Sequence, residues 1–404
     1  MPTAAIICEY NPFHNGHEYQ INKIREILGE DTKIIAIMSG NFTQRGECAI
    51  MDKGHRAKIA VMAGVNLVLE LPFPFSSLSA ELFARAGVHI ANSLNTVDYL
   101  AFGCECGDII ALEECALAML TPEYEKQLLD YIKAKEYKAL GYPELIELAL
   151  KDVMGIKSPV ALSPNNILAL EYIKALKREG SSIKPLAIKR EGAGYNSEKI
   201  EKTKLQSASA IRNSLYEKDI SALEYTPSFA KDIIIELLAS GDFPTDISRL
   251  DTAIISHFRL SSPTESKATH DSGGGLYNLL RSASFEANDY NTLLRLAETK
   301  NVTRAKLRRA ILFSYLGVTS SEARDLPRYT QTLALDKDGM ALLKEIRKQN
   351  SFPILTKPSN TRELSAEAMR QKLQSDRADS VYQLTKPCPR DGRSAVRFTP
   401  FIKK

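Results

Sequence analysis

The sequence lacks the features that mark secreted, membrane-spanning or zinc-stabilised proteins. Its six Cys residues are scattered, and they fit neither a disulfide framework nor the spacing of a zinc site. No apolar run approaches the roughly 18 residues that span a membrane, and the N-terminus lacks the basic region of a signal peptide. We therefore expect a cytoplasmic protein without a structural metal and without a membrane partner.

Size and charge predict a two-part protein with a basic second half. The chain has 404 residues, of which 44% are hydrophobic, and this is typical of a globular protein with two domains. The net charge is only +4, yet the segment 344–404 contains 14 Lys or Arg residues against six Asp or Glu. A second basic cluster consists of Lys300, Arg304, Lys306, Arg308 and Arg309. This asymmetry indicates a polyanion partner, although solvated helix faces explain the charge equally well.

The segment 6–17 carries the most informative motif. A short apolar strand leads into a tight Asn-Pro turn, and His14-x-Gly16-His17 follows at the start of an amphipathic helix. A helix N-terminus offers unpaired N–H groups and a positive dipole end, and Gly16 lets a ligand approach the backbone closely. Two imidazoles three residues apart can face one phosphate group. We interpret the motif as a nucleoside triphosphate site; the alternative is a helix cap beside a surface histidine.

Strands and helices alternate in the first half of the chain. The predicted strands begin near Ala4 and cover 33–38, 67–70, 99–102 and 184–188, and the predicted helices include 21–28, 52–63, 79–92 and 163–177, with a mainly helical insertion over 109–157. This order predicts an α/β fold with a parallel, Rossmann-like sheet and helices on both faces. Ligands bind such sheets at the carboxyl ends of the strands, where His14, the loop 39–44 and Gly103 fall.

The second half is predicted to be mainly helical. Helices are expected over 227–240, 247–258, 275–284, 289–298, 303–315 and 338–349, with the glycine-rich segment 270–275 as a flexible joint. No strand is expected after Leu223. The final 50 residues are basic and interrupted by prolines.

Two motifs together resemble the nucleotidylyltransferase superfamily. In those enzymes a His-x-Gly-His motif after the first strand and a Ser-x-Ser-x-Ile-Arg motif in a late helix hold the triphosphate of ATP, and His14–His17 and Ser207–Arg212 match them. A closer resemblance, to bacterial tRNA(Met) cytidine acetate ligases, covers almost the whole chain. It rests on the segments 9–17, 39–46, 69–72, 102–108, 164–168 and 303–309.

The resemblance implies a nucleotidylyltransferase-like, ATP-binding catalytic domain over 1–220 and a mainly α-helical, basic, tRNA-binding domain with a C-terminal tail over 221–404. It implies a ligase that joins acetate to AMP with release of pyrophosphate. The acetyl group then moves to N4 of the wobble cytidine, position 34, of elongator tRNA(Met). This chemistry needs no covalent enzyme nucleophile. ATP is the implied substrate, with Mg²⁺ expected because ATP phosphates usually carry it.

Residue type and position, together with the resemblance, suggest residue roles. His14, His17 and Arg212 are the expected catalytic residues, because imidazoles and a guanidinium can hold the phosphates of ATP. The expected ATP-binding residues are Ile7, Cys8, Glu9, Tyr10, Asn11, Pro12, Phe13, His14, Asn15, Gly16, His17, Glu18, Tyr19, Gln20, Gly103, Asn165, Arg190, Ser207, Ser209 and Arg212. Candidates for the acetate and cytidine pockets are Gln44, Arg45, Asp52 and Lys53. Candidates for tRNA contact are Lys300, Arg304, Lys306, Arg308 and Arg309.

Several alternatives stay open from the sequence. Asn165 is also typical of a helix cap and Gly103 of a turn at a strand end. The aromatic residues Tyr329, Tyr382, Phe398 and Phe401 can stack on RNA bases or belong to the core. Two other functions also fit the motifs: a nucleotidylyltransferase that makes a small cofactor from ATP, and a nucleotide-regulated RNA-binding protein without catalysis.

Overall fold

Eight strands form one sheet in the part of the chain that this computed structural model describes, residues 1–137, 140–155, 160–190, 206–262, 269–299, 302–393 and 398–404. The strands are β1 (Thr3–Cys8), β2 (Lys33–Ser39), β3 (Leu67–Leu71), β4 (Tyr99–Cys104), β5 (Lys184–Lys189), β6 (Thr330–Leu335), β7 (Ile354–Leu355) and β8 (Phe401–Ile402). Their order is β5-β4-β1-β2-β3-β6-β7, with β8 beside β6. The first five strands are parallel, and β6 is antiparallel to β3.

Helices connect these strands and build the rest of the chain. Those of the first half are α1 (Asn15–Leu28), α2 (Lys53–Met62), α3 (Ala80–Ser93), α4 (Ile109–Ala118), α5 (Pro122–Lys133), α6 (Tyr142–Met154), α7 (Pro164–Arg178) and α8 (Ala208–Tyr216). Those of the second half are α9 (Ser228–Ser240), α10 (Asp251–Leu260), α11 (Leu276–Ser284), α12 (Tyr290–Leu296), α13 (Arg304–Leu316), α14 (Ser320–Arg324), α15 (Lys337–Gln349) and α16 (Ala366–Tyr382). Within the described ranges, no helix is long and apolar enough to cross a membrane.

Alternate residues of the central strands pack on opposite faces of the sheet. Ile35 and Ile37 of β2 join a core with α3, α4 and α7, whereas Ile34 and Ala36 join a second core with α1, α2 and α9. A third core around Phe258 holds α10 to α13 together. Because helices cover both faces of the sheet, its carboxyl edge is the place left for a ligand.

The expectation that no strand follows Leu223 is wrong, because β6, β7 and β8 come from the C-terminal half and extend the sheet beyond β3. All six residues of β6 are buried, yet its first three are Thr, Gln and Thr and do not form an apolar run. The Thr330 hydroxyl donates to the carbonyl of Glu70 at 2.6 Å, which satisfies one of these polar groups inside the sheet. The α/β fold class is confirmed. The division of the chain at residue 220 stays a prediction.

Both tyrosines considered for base stacking belong to the core. Tyr329 and Tyr382 are 1% and 0% exposed, and the Tyr382 hydroxyl donates to the carbonyl of Ala49 at 2.8 Å. Phe398 and Phe401 are partly buried and pack against the second core of the sheet. The C-terminal end of the chain is therefore part of the packed structure around the sheet.

Candidate active site

The two histidines of the His-x-Gly-His motif cap helix α1 reciprocally. Nδ1 of His14 accepts a hydrogen bond from the Gly16 N–H at 3.0 Å, and Nδ1 of His17 accepts one from the His14 N–H at 3.2 Å. The two rings stack with their centroids 3.8 Å apart. Because each Nδ1 accepts a backbone N–H, the proton of each neutral ring lies on Nε2. Each imidazole therefore keeps one N–H donor for a ligand and no free acceptor.

Burial and two guanidinium groups keep these imidazoles neutral. Burial, together with Arg190 and Arg212, lowers the pKa of His14 to about 3. Burial, the His14 ring and Arg190 also lower the pKa of His17 well below its usual value. Nearby positive charge disfavours an imidazolium but favours a bound anion. The electrostatics of the histidine pair therefore suit a phosphate.

Two glycines let side chains lie against the backbone at this edge of the sheet. A Cβ atom on Gly16 would lie 2.8 Å from Cε1 of His14, so a larger residue would displace the capping ring. A Cβ atom on Gly103 would lie 3.3 Å from Cγ of Arg190. Gly103 lies within β4 opposite Ile188 of β5, so it is not a turn residue.

Helix α8 brings a second cation to the same edge. Ser207 caps this helix, since its hydroxyl accepts the Ala210 N–H at 3.0 Å. Arg212 donates to the carbonyl of Asn11 at 2.6 Å and to the Ser209 hydroxyl at 3.2 Å. These contacts tie α8 to the turn before α1 and hold the Arg212 guanidinium near the histidine pair.

The loop after β2 closes the other side of the site. The Gln44 N–H donates to Oε1 of Glu9 at 2.8 Å. The fully buried Arg56 donates to the carbonyls of Met51 at 2.9 Å, of Glu9 at 2.5 Å and of Gly40. One guanidinium therefore fixes the end of β1, the loop after β2 and the start of α2 relative to one another.

These elements surround a cavity at the carboxyl edge of the sheet. The predicted ATP-binding residues that line it are Ile7, Cys8, Glu9, Tyr10, Asn11, His14, His17, Gln20, Gly103, Asn165, Arg190, Ser207, Ser209 and Arg212. The other lining residues are Thr43, Gln44, Arg45, Glu47, Phe83, Phe102, Leu168, Tyr172 and Ala208. Gly16 and Tyr19 line a smaller adjoining space. Pro12, Phe13, Asn15 and Glu18 line neither space.

Asn165 reaches the cavity from the first turn of α7. Ser163 occupies the cap position of this helix, so the cap alternative for Asn165 is wrong. The Asn165 side chain donates to Oε1 of Glu105 at 2.5 Å, and the Ser163 hydroxyl donates to Oε2 of the same carboxylate at 2.5 Å. Glu105 follows β4 directly, so it joins the end of that strand to the start of α7.

Sequence reasoning missed Arg56 and the apolar wall of the cavity. The wall includes Phe83, Phe102, Leu168 and Tyr172. Leu168 and Tyr172 lie three and seven residues after Asn165, so all three share one face of α7. This spacing could have predicted the two helix residues, whereas Arg56 carries no local signal.

Asp52 and Lys53 do not line the cavity, contrary to the expectation that they face it. Asp52 caps α2 by accepting the His55 N–H at 3.1 Å. The Lys53 ammonium lies in the interior, 2.7 Å from a Glu70 oxygen and 2.5 Å from an Asp379 oxygen. Burial lowers the pKa of Lys53, but the Asp379 and Glu70 carboxylates outweigh burial and raise it above its usual value. Lys53 is therefore part of a buried ion cluster.

The predicted tRNA-binding cluster is only partly available to a ligand. Arg309 is 7% exposed and pairs with Asp271 at 2.7 Å, which conflicts with a role in surface phosphate contact. Arg304 is exposed and Lys306 is half-buried. Lys300 lies outside the described residues.

Helix α13 also forms part of the cavity rim. Arg308 pairs with Glu47, which lines the cavity. A Cβ atom on Gly46 would lie 2.6 Å from the backbone nitrogen of Arg309, so the loop packs directly on this helix. The basic helix and the loop that carries Gln44 are therefore neighbours.

Comparisons with known proteins show the family of this chain. A family model described as HIGH Nucleotidyl Transferase matches residues 1–395. The tRNA(Met) cytidine acetate ligase of Thermoanaerobacter sp. (strain X514) is 36% identical over 370 residues, which cover 90% of each chain. The protein of the same name from Acetivibrio thermocellus is 34% identical over 417 residues, which cover 100% of this chain and 99% of that one. This chain belongs to the tRNA(Met) cytidine acetate ligase family.

Solved structures of this ligase family have the same fold. Thermotoga maritima TmcAL bound with alpha-thio ATP matches with a TM-score of 0.90 at 29% identity, over 100% of both chains. The apo form of the same protein matches with a TM-score of 0.93 at 30% identity, over 100% of this chain and 99% of that one. Membership of the family makes this chain an ATP-using ligase and confirms the resemblance drawn from its motifs.

Proposed function

We propose that this protein uses ATP and acetate to acetylate N4 of cytidine 34 in elongator tRNA(Met). The observation that carries the proposal is the cavity where two neutral imidazole N–H donors, Arg190 and Arg212 meet the N-terminus of α1. This combination suits a polyphosphate. The name of the curated relatives, tRNA(Met) cytidine acetate ligase, supports tRNA(Met) and acetate as substrates. The alpha-thio ATP bound in the Thermotoga maritima structure supports ATP as the activating substrate.

The first step would be adenylation of acetate. A carboxylate oxygen of acetate attacks the α-phosphorus of ATP, the bond to the β-phosphate oxygen breaks, and pyrophosphate leaves with the electron pair. The Nε2–H groups of His14 and His17 would bind phosphate oxygens, with Arg190 and Arg212 neutralising the departing charge. No proton moves at the acetate carboxylate, which is already ionised at neutral pH.

The second step would be acetyl transfer to RNA. The N4 nitrogen of the cytidine attacks the acetyl carbon, and AMP leaves. An anticodon-loop base is unpaired and can enter a cavity, unlike a base inside a helix. Gln44 and Arg45 line the cavity on the side of basic helix α13, so we place the acetate and cytidine pockets there.

Mg²⁺ remains a prediction that rests on ATP and not on the protein. No group of three or more His, Cys, Asp or Glu residues that could hold a metal ion occurs in the described ranges. Among the described residues, the carboxylates that line the cavity are Glu9 and Glu47, and Glu47 is paired with Arg308. This donor set does not form a cage for Mg²⁺, so we derive no step through a protein-bound metal.

The test is incubation of the protein with ATP, acetate, Mg²⁺ and an unmodified elongator tRNA(Met) transcript, followed by nucleoside mass spectrometry. We expect N4-acetylcytidine that disappears when acetate is omitted or when His17 is replaced by Ala. The matched control is His89→Asn, because His89 lies on α3 outside the cavity and contacts Glu179 at 3.3 Å. It should leave product formation close to that of the wild type.

The other outcomes separate the alternatives. Acetate-dependent release of pyrophosphate without any acetylated nucleoside would keep the adenylation step and reject tRNA(Met) cytidine as the acceptor. Pyrophosphate release with a phosphorylated small molecule instead of acetate would favour the cofactor-forming nucleotidylyltransferase. Binding of tRNA without pyrophosphate release from any acid would favour an RNA-binding protein without catalysis.

A further inference from the structure

The second step needs a proton acceptor, and few groups in the cavity can serve. The exocyclic amine of cytosine is a weak base, and N4 loses a proton as its bond to the acetyl carbon forms. The imidazoles of His14 and His17 are excluded, because each Nδ1 already accepts a backbone N–H and each Nε2 carries a proton. Burial raises the pKa of the Cys8 thiol and of the Tyr172 hydroxyl far above neutral pH, so both are protonated.

The two carboxylates that line the cavity differ in their partners. Glu47 forms an ion pair with Arg308 and lies 3.8 Å from Arg212. Glu9 forms no ion pair within the described part of the chain, and its Oε1 accepts the Gln44 N–H at 2.8 Å. That hydrogen bond orients the Glu9 carboxylate and leaves Oε2 without a hydrogen bond from any described residue. Among the described residues that line the cavity, Glu9 is therefore the carboxylate that has an acceptor oxygen without a hydrogen bond.

The position of Glu9 fits an approach from the RNA side. Glu9 follows β1 and is joined by hydrogen bond to Gln44, and the loop of Gln44 packs on basic helix α13 through Gly46. Glu9 is therefore joined through Gln44 to the part of the cavity wall that packs on α13. The Glu9 backbone is fixed as well, because Arg56 donates to its carbonyl at 2.5 Å.

We propose that the Glu9 carboxylate is the catalytic base that accepts the N4 proton of the target cytidine; this inference rests on the proposed function. As the N4–carbon bond forms, one N4 proton passes to Oε2 of Glu9. The bond between the acetyl carbon and the AMP oxygen then breaks, and AMP leaves with the electron pair. Glu9 afterwards releases its proton to solvent. The role contrasts with the ATP-binding assignment of Glu9, since a carboxylate repels phosphate.

The electrostatic surroundings make this base detectable by pH. Burial raises the pKa of Glu9, and the Gln44 N–H and three guanidinium groups oppose that rise. The charged or titratable groups around it are Arg212, Arg45, Arg56, Cys8 and Tyr172. Because the base must be ionised, the transfer rate should fall as the pH drops through the pKa of Glu9. A carboxylate with a raised pKa is a suitable general base near neutral pH.

The experiment compares the wild type with Glu9→Gln, Glu9→Asp and, as a matched control, Glu26→Gln on the exposed side of α1. Acetate-dependent exchange of pyrophosphate into ATP, without tRNA, measures the first step. Single-turnover transfer from added acetyl-adenylate to a tRNA(Met) transcript, followed across pH, measures the second. For Glu9→Gln we expect transfer to slow by about 10²–10⁴-fold and to lose the fall in rate at low pH, whereas exchange should slow much less than transfer. Glu9→Asp should recover part of the transfer rate and keep the fall in that rate at low pH.

Three results would overturn the role of Glu9. Equal losses of exchange and transfer in Glu9→Gln would assign the residue to ATP binding or folding. Transfer at the wild-type rate would show that another group, or water alone, takes the proton. If the transfer rate of Glu9→Gln still falls at low pH as in the wild type, the titrating group is a residue other than Glu9. A wild type that transfers no acetyl group to tRNA would overturn the proposed function as well, and this outcome is seen before any variant is made.

Discussion

Replacement of Lys53 by Met tests whether this residue stabilises the fold or contacts substrate. The Lys53 ammonium lies 2.7 Å from Glu70 and 2.5 Å from Asp379, and the three side chains are 5%, 2% and 3% exposed. Methionine preserves most of the side-chain volume but removes the charge between two buried carboxylates. Breaking a buried ion pair by removing one partner costs about 3–5 kcal/mol. We expect a loss of this size in the free energy of unfolding at pH 7, measured by urea denaturation.

The loss should depend on pH in a defined direction. Burial raises the pKa of Glu70, and the Lys53 charge opposes that rise. Without Lys53 the carboxylate binds its proton still more tightly in the folded state than in the unfolded state. A raised folded-state pKa stabilises the protein below that pKa and loses this effect as the pH increases. The deficit of Lys53→Met should therefore be largest at neutral pH and shrink in acid.

A matched control and a compensated variant make the result decisive. Lys23 also pairs with a glutamate, Glu26, at 2.7 Å, but their side chains are 34% and 67% exposed. Lys23→Met should cost less than about 1 kcal/mol, because exposed ion pairs contribute little. Adding Glu70→Gln and Asp379→Asn to Lys53→Met should restore part of the stability. A stable Lys53→Met protein with a raised KM for acetate would refute the structural role and indicate that Lys53 contacts the substrate.

Three further predictions concern the cavity and its rim. Gly16→Ala should raise the KM for ATP in the pyrophosphate exchange assay by about tenfold, or about 1.4 kcal/mol. The reason is that its Cβ would lie 2.8 Å from Cε1 of His14 and displace the capping ring. An unchanged KM would contradict the need for glycine. Exchange activity should show no histidine titration between about pH 5 and 8, since the pKa of His14 is lowered to about 3 and its ring is neutral throughout this range. A change in exchange rate near the ordinary pKa of histidine that disappears in His14→Gln would contradict a neutral His14. Arg304→Ala should weaken tRNA binding and reduce the slope of log Kd against log salt concentration by about one. Arg309→Ala should instead lower stability and leave that slope unchanged, because Arg309 is buried against Asp271. Filter binding at several salt concentrations distinguishes the two outcomes.

Local sequence patterns were sufficient to predict the helix starts that border the cavity. The capping of α1 by His14 and the placement of Ser207 at the start of α8 both depend on residues within one helical turn. The alternation of apolar strands with amphipathic helices likewise predicted β1 to β5 and the edge where they end. These features could be predicted because the interactions that define them are close in sequence.

The parts that could not be predicted depend on contacts between distant segments. Lys53 and Asp379 are 326 residues apart, so no periodicity near Lys53 indicates that its ammonium is buried. The strand β6 is likewise recognisable only from its partner β3, since its own residues begin Thr-Gln-Thr. Neighbours far away in sequence decided the environment in both cases, and local propensity did not.

The count of basic residues is a poor measure of the surface that faces RNA. Helix α13 supplied four of the cations that suggested a polyanion partner, yet Arg308 holds Glu47 at the cavity rim and Arg309 holds Asp271. Each pair cancels the charge of its cation, so neither contributes fully to the release of counterions from a nucleic acid. The Arg308–Glu47 pair instead fixes the position of the loop that carries Gln44, whose N–H donates to Glu9. A variant such as Arg308→Ala should therefore change the rate of acetyl transfer more than it changes the salt dependence of tRNA binding.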